Sequence, residues 1–317
     1  METQHSKLAV IGAGSVGTSV AYATLIKGFA RNVALYDINT TKVEAEVLDL
    51  AHGSQFFAPS SVTGGDDLAV VENSDVVVVT AGARQKPGQT RLDLAEANTG
   101  ILRDLLPKLV ERAPNAVYVL VTNPCDVLTV AAQHLVDLPA GRVFSSGTVL
   151  DTSRLRWKVA RAAGVSSDSV HAIMAGEHGD SEFAMWSSAT IGQVPLAQWT
   201  NSDGDLVFPE EVRDELEYEV AHAAYKVIEG KGATNYAIGV AGARIVNAIL
   251  SDSHAVLPVS AVLEDYHGVS GVAMSVPCVV AKDGISRQLK FPMNDAELGK
   301  FHASADALRA TGARLGI

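Results

Sequence analysis

The valine-rich runs at residues 8–11, 33–36, 76–80 and 117–121 are too short for helices and too uniformly apolar for strands with one wet face. Such runs suit strands buried on both sides of a sheet. Between them, residues 15–29, 41–52 and 92–112 carry apolar side chains at mixed three and four spacing, the pattern of amphipathic helices. Strand and helix repeated in that order require parallel strands joined by right-handed crossovers. The first half of the chain therefore reads as a doubly wound α/β sheet, a domain we assign to residues 1–145.

Beyond about Val143 the rhythm changes. A helix is expected over 152–163, a hairpin over 169–190, long helices over 209–229 and 235–250, and a closing helix from about Asn294. Residues 255–290, punctuated by Gly268, Gly271 and Gly284, read as an antiparallel sheet. These elements form a second, α+β domain over residues 146–317. No Pro/Gly/Ser-rich linker separates the halves, so they are expected to pack closely around a fixed cleft.

The 317 residues, 47% hydrophobic and 19% charged, suffice for two packed cores and exclude a disordered composition. With 25 basic and 36 acidic side chains the net charge is −11, which argues against a general grip on nucleic acid or an anionic membrane. Any anionic ligand must be held by local cations. Cys125 and Cys278 lack both metal-ligand spacing and a disulfide framework, as expected of a reducing cytoplasm. Residues 1–7 are polar, with no apolar signal core, and no apolar run approaches the ~18 residues of a membrane span, so the protein is expected to be cytosolic.

The first strand runs into Gly12-Ala13-Gly14-Ser15-Val16-Gly17 and then a helix, the context in which G-x-G-x-x-G binds a dinucleotide. One glycine permits the tight turn, one lets backbone approach a pyrophosphate, and one packs helix on strand. The helix N-terminus adds free N–H groups and a positive dipole end. Asp37 closes the second strand, where a carboxylate accepts hydrogen bonds from the ribose hydroxyls of NAD and repels the 2′-phosphate of NADP. Alternatively, the triplet is a structural helix-entry turn and Asp37 a solvated strand end.

A nicotinamide cofactor implies hydride transfer, which at a ketone leaves an alkoxide. The site then needs a proton donor titrating near neutrality and cations for the carbonyl and carboxylate oxygens. Of nine histidines, His178 stands apart in Gly176-Glu177-His178-Gly179-Asp180-Ser181, a polar, glycine-flanked turn inside the expected hairpin. The ordinary alternative is a surface or hydrogen-bonded core histidine.

Five ordered motifs carry a resemblance that spans the chain. They are the glycine fingerprint with Asp37, the stretch Ala81-Gly82-Ala83-Arg84-Gln85-Lys86-Pro87-Gly88-Gln89-Thr90-Arg91-Leu92, the segment Val121-Thr122-Asn123-Pro124, Asp151-Thr152-Ser153-Arg154, and the 176–181 turn. On these residues the chain resembles the lactate/malate dehydrogenase family, and within it the bacterial lactate-specific branch. The resemblance implies a Rossmann-type NAD domain followed by a catalytic domain. It also implies cofactor contacts from Gly12, Gly14, Val16, Gly17, Asp37, Lys42, Gly82, Ala83, Thr122, Asn123 and Ser146.

The same resemblance implies that His178 is the general acid/base and that Asp151 sits against it across the cleft, favouring the imidazolium and fixing the ring. Position alone would also allow Asp151 to be a helix N-cap. Arg154 is implied to bind the substrate carboxylate with its planar fork, Arg91 to close over substrate and polarise the carbonyl, and Asn123 to hydrogen-bond the substrate oxygen. As bare residues, Arg154 reads as a solvated helix arginine and Arg91 as a loop arginine.

Gln85 is implied to select the substrate. Malate-specific members carry an arginine there for the second carboxylate of oxaloacetate, whereas glutamine suits the methyl end of pyruvate, with Thr234 as the pocket's other wall. Arg156 and His171 match positions that bind fructose 1,6-bisphosphate between subunits in many bacterial members, which implies allosteric activation. A homotetramer with helix 41–52 among the contacts is implied as well. Cys125 departs from the aliphatic residue common at its position and reads as a small packed hydrophobe. The competing readings are a malate or other 2-hydroxyacid dehydrogenase, and an NAD-binding structural or sensing protein without catalysis.

Overall fold

The computed structural model describes residues 6–83 and 90–317, and the side chain of Arg91 lies outside what is described. The chain begins β1 (Lys7–Ile11), α1 (Ser15–Lys27), β2 (Asn32–Tyr36), α2 (Thr40–His52), β3 (Ser61–Gly65), β4 (Val76–Val79), α3 (Arg91–Arg112), β5 (Val117–Leu120), α4 (Cys125–Leu135) and β6 (Val143–Ser145). It continues α5 (Val149–Ala163), β7 (Val170–His171), β8 (Met174–Ala175), β9 (Phe183–Ala184), β10 (Thr190–Ile191) and β11 (Val194–Pro195). The last elements are α6 (Glu210–Ala221), α7 (Ala223–Lys231), α8 (Tyr236–Leu250), β12 (Ala255–Val262), β13 (Ala273–Ala281), β14 (Gly284–Gln288) and α9 (Asp295–Leu315).

Among the described residues, nine strands form one sheet in the order β14-β13-β12-β6-β5-β4-β1-β2-β3. From β6 to β3 every pairing is parallel, and the order reverses between β1 and β4, which opens a crevice at the carboxyl ends of those strands. The valine runs form these central strands because each is covered on both faces. Leu8, Val10, Val33, Leu35, Val76, Val78, Val117 and Val119 pack with Val20 and Leu25 of α1 and Ile245, Val246 and Ile249 of α8. The alternate residues Ala9, Ile11, Val77, Val79, Tyr118 and Leu120 pack with Leu102, Leu106 and Leu109 of α3 and Leu128 of α4.

The two halves share this framework. β12 pairs antiparallel with β6 through Ser260 and Ser145, so the antiparallel strands of residues 255–290 extend the parallel sheet instead of forming a separate one. Helix α8 lies directly on α1, where a Cβ at Gly239 would come within 2.8 Å of the Ser19 carbonyl carbon. Only a residue without a side chain allows helices to approach that closely.

Four local expectations are corrected. β3 was not anticipated, because Ser61-Val62-Thr63-Gly64-Gly65 is a weakly apolar edge strand whose place is set by pairing with β2. The helix expected over 209–229 is two, α6 and α7, joined at His222, whose ring stacks on Tyr218 at 4.0 Å between centroids. The hairpin over 169–190 is split into the β7–β10 and β8–β9 pairings, in different sheets. Finally, Thr148 is the N-cap of α5, which puts Asp151 inside the first turn and frees its carboxylate for other partners.

Candidate active site

The glycine turn is built by close approach. Gly12 has φ 103°, and a Cβ there would sit 2.8 Å from the backbone nitrogen of Ala81. A Cβ on Gly17 would lie 1.9 Å from the carbonyl oxygen of Gly12, so the first turn of α1 fits against β1 only with glycine at this point. Gly14, the N-cap of α1, contributes no side-chain cap and has nothing within 4 Å of the place a Cβ would occupy. Exposed amide donors beside open space suit an anionic pyrophosphate.

Asp37 is turned toward this loop, accepting hydrogen bonds from the backbone N–H of Ala13 at 2.8 Å and of Asn39 at 3.0 Å. It therefore fastens β2 to the glycine turn, a structural role not read from sequence. Lys42 lies in the first turn of α2, its N–H donating to the Asn39 side chain at 3.1 Å, and Val16 is half-buried in α1.

On the other side of the crevice, Gly82 and Ala83 follow β4, Thr122 and Asn123 follow β5, and buried Ser146 follows β6. Thr122 donates to the Ala81 carbonyl at 2.8 Å. Asn98 of α3, missed in the sequence, joins the two loops: its Oδ1 accepts the Ala83 N–H and its Nδ2 donates to the Asn123 carbonyl, both at 2.7 Å. The residues present thus fit a dinucleotide lying along the strand ends.

His178 is carried on the turn between β8 and β9. Gly176 of that turn pairs with Ser275 of β13, Glu177 donates its N–H to Ser304 of α9, and the His178 N–H donates to Oδ2 of Asp126 at 2.7 Å. Asp151 comes from the first turn of α5, which is tied to β8 by Thr148 Oγ1 donating to Met174 and the Met174 N–H donating to Thr152. These links bring Nδ1 of His178 within 2.7 Å of Oδ2 of Asp151. Arg154, one turn along α5, donates to the other Asp151 oxygen at 2.5 Å.

The electrostatics follow from this packing. Burial opposes charge on His178, yet the Asp151 carboxylate and its hydrogen bond outweigh it and hold the imidazole well above its ordinary value. Burial likewise opposes charge on Asp151, but His178 and Arg154 keep it below the usual carboxylate range. With Nδ1 engaged, Nε2 is the nitrogen left to exchange a proton with a substrate. Burial pushes the Cys125 thiol up to about 12, in keeping with a packed hydrophobe.

Two further carboxyls surround the couple and were not anticipated. Asp126, pushed up to about 6 by burial, holds the His178 backbone. Glu182 is pushed up to about 7 by burial and then by the Asp151 charge, and its Oε2 lies 3.9 Å from His178 Nδ1. Asp151, His178 and Glu182 are close enough to suggest a cation site, but both Asp151 oxygens already face hydrogen-bond donors, so the cluster is organised for protons.

Gln85 lies outside the described residues, and Arg91 begins α3. Thr234 is half-buried in the link between α7 and α8, next to Asn235, which donates to Ser19 of α1 at 3.0 Å. Asn123 is exposed after β5. Arg156 donates through Nε to the carbonyl of Ala172 at 2.9 Å, and Ala172 follows exposed His171 of β7.

Residues 6–145 match the family model described as lactate/malate dehydrogenase, NAD binding domain, and residues 148–313 match lactate/malate dehydrogenase, alpha/beta C-terminal domain. The chain is 50% identical over 312 residues to an L-lactate dehydrogenase of Bifidobacterium animalis subsp. lactis, covering 98% of each. It is 44% identical over 313 residues to one from Kosmotoga olearia, covering 96% of this chain and 94% of that one. Among solved structures, the minor L-lactate dehydrogenase of Enterococcus mundtii in its ligands-bound form superposes with a TM-score of 0.93 at 38% identity, over 98% of both chains.

Proposed function

The chain belongs to the lactate/malate dehydrogenase family and is an NAD-dependent oxidoreductase, and from that premise we propose that it interconverts pyruvate and L-lactate with His178 as the general acid/base. The observation that carries this reading is the division of one buried carboxylate between two cations, His178 on one Asp151 oxygen and Arg154 on the other.

NADH, when bound, supplies the hydride that adds to C2 of pyruvate. Arg154 pairs with the substrate carboxylate through guanidinium N–H groups not engaged by Asp151. Protonated His178 donates from Nε2 to the oxygen that gains charge, and Asp151 steadies the imidazolium beforehand. In the reverse direction neutral His178 accepts the lactate hydroxyl proton. Arg91 and Asn123 are assigned to the carbonyl oxygen, and Gln85 and Thr234 to the methyl end. Uncharged Gln85 offers no charge of its own to the second carboxylate of oxaloacetate, which favours pyruvate over the malate-type substrate.

The effector reading places fructose 1,6-bisphosphate against Arg156 and His171. The Arg156 side chain, held on the carbonyl of Ala172, the residue after His171, supports it. We assign a cytoplasmic homotetramer, with α2 and exposed Leu48 and Phe56 among the contacts. Among the described residues no helix is long and apolar enough to cross a membrane.

The test is NADH oxidation with pyruvate and with oxaloacetate side by side, near pH 6 to 7, with and without the bisphosphate. Strong pyruvate preference supports the assignment. Faster turnover of oxaloacetate overturns the reading of Gln85, and a rate indifferent to millimolar bisphosphate removes the effector site.

A further inference from the structure

Glu182 takes no part in the proton transfer just described, yet it stands inside the same pocket. Its side chain is 2% exposed, its Oε2 is 3.9 Å from His178 Nδ1, and among the described residues neither carboxyl oxygen has a hydrogen-bond partner. A carboxyl buried without donors is costly, and folded proteins seldom keep one where an apolar side chain would serve.

The other ionisable groups around it are engaged or silent. From α5, Asp151 bonds both Arg154 and His178, one on each oxygen. From α4, Asp126 accepts the His178 N–H, and Cys125 remains a neutral thiol. On the same turn, Glu177 accepts from the Ser181 hydroxyl. Glu217 of α6, which faces β9, accepts from the Ala184 N–H and the Trp186 indole and pairs with Lys300. Glu182 is thus the carboxyl beside His178 whose charge no hydrogen bond secures.

Resting on the reading of His178 as the acid/base, we propose that Glu182 is a positioning residue that sets how tightly His178 holds its proton: ionised, it adds a second negative charge to the imidazolium's surroundings, and protonated, it adds none. At 3.9 Å it makes no hydrogen bond to the ring, so it acts through its field. Because burial pushes Glu182 up to about 7, that second charge arises in the neutral range. Ketone reduction, which needs the imidazolium, is thereby extended to higher pH, and alcohol oxidation, which needs the neutral ring, begins later.

The experiment compares the pH dependence of kcat/KM for pyruvate and for L-lactate in the wild-type enzyme, Glu182→Gln and Glu182→Met, each saturated with cofactor. Both the alkaline limb for pyruvate and the acid limb for lactate are expected to move down by about one pH unit in each variant. NADH affinity should stay unchanged, and thermal stability at pH 8 should be equal or higher, since an unpartnered buried charge is removed. Glu182→Met fills the space without polar atoms, so a fault peculiar to a buried amide cannot mask the shift. Limbs that stay in place in a folded, active variant overturn the proposal. If His178→Asn instead leaves wild-type activity unchanged, the acid/base reading fails and this inference falls with it.

Discussion

Asp151 and His178 lie 27 positions apart in sequence and 2.7 Å apart in space, joined because α5 and the β8–β9 turn are both fastened to Met174 or its neighbours. The Asp151 side chain is 2% exposed and that of His178 26%, so the couple is dry at the carboxylate and open at the ring. This is the arrangement a proton donor needs: fixed from behind and accessible in front.

Replacing Asp151 by Asn should therefore change a pH profile as well as a rate. Asp151 holds His178 well above its ordinary value, so pyruvate reduction persists below that raised value and is lost as pH rises through it. Without the carboxylate, burial is opposed chiefly by Glu182, and the neutral ring gains. The alkaline limb of kcat/KM for pyruvate should fall by one or more units, with a loss of about 10²–10⁴ in kcat/KM at neutral pH. An unchanged limb would show that Asp151 does not set the proton affinity.

Arg154→Lys should lower kcat/KM for pyruvate by roughly 10²-fold or more, mostly through KM, since an ammonium cannot hold a carboxylate by two parallel bonds and Asp151 as well. NADH affinity should be unaffected. Steady-state kinetics and a cofactor titration on the same preparation check both statements.

The glycine turn separates fold from binding. Gly17→Ala forces a Cβ to 1.9 Å from the Gly12 carbonyl and should cost about 1–3 kcal/mol or more of stability, read by denaturant unfolding. Gly14→Ala meets nothing within 4 Å and should unfold like wild type. Its NADH affinity should nonetheless drop tenfold or more, because the proposed reading of the glycine turn puts the pyrophosphate in that space.

What the sequence could disclose follows from how local each signal is. The valine runs announced the central strands because their periodicity is contained within four or five residues, and the glycine fingerprint announced its turn for the same reason. β3 escaped because two of its five residues are glycine and its position depends on β2. His178, Asp151 and Arg154 stood out through the motifs around them, but the division of Asp151 between the other two is a product of packing. Asn98, Asp126 and Glu182 left no sequence signal, since an asparagine or an acid in a helix or turn is ordinary until its distant partner is known. The pairing of Asp37 with Ala13 escaped for the same reason.

The central claim is that His178 delivers the proton to a reduced pyruvate. The most direct test is His178→Asn, followed by NADH binding and by NADH oxidation with pyruvate in the same preparation. The account predicts wild-type NADH binding with kcat/KM for pyruvate reduced by about 10²–10⁴ and no alkaline limb in its pH profile. A variant that binds NADH and still reduces pyruvate at the wild-type rate, with the limb intact, would contradict it.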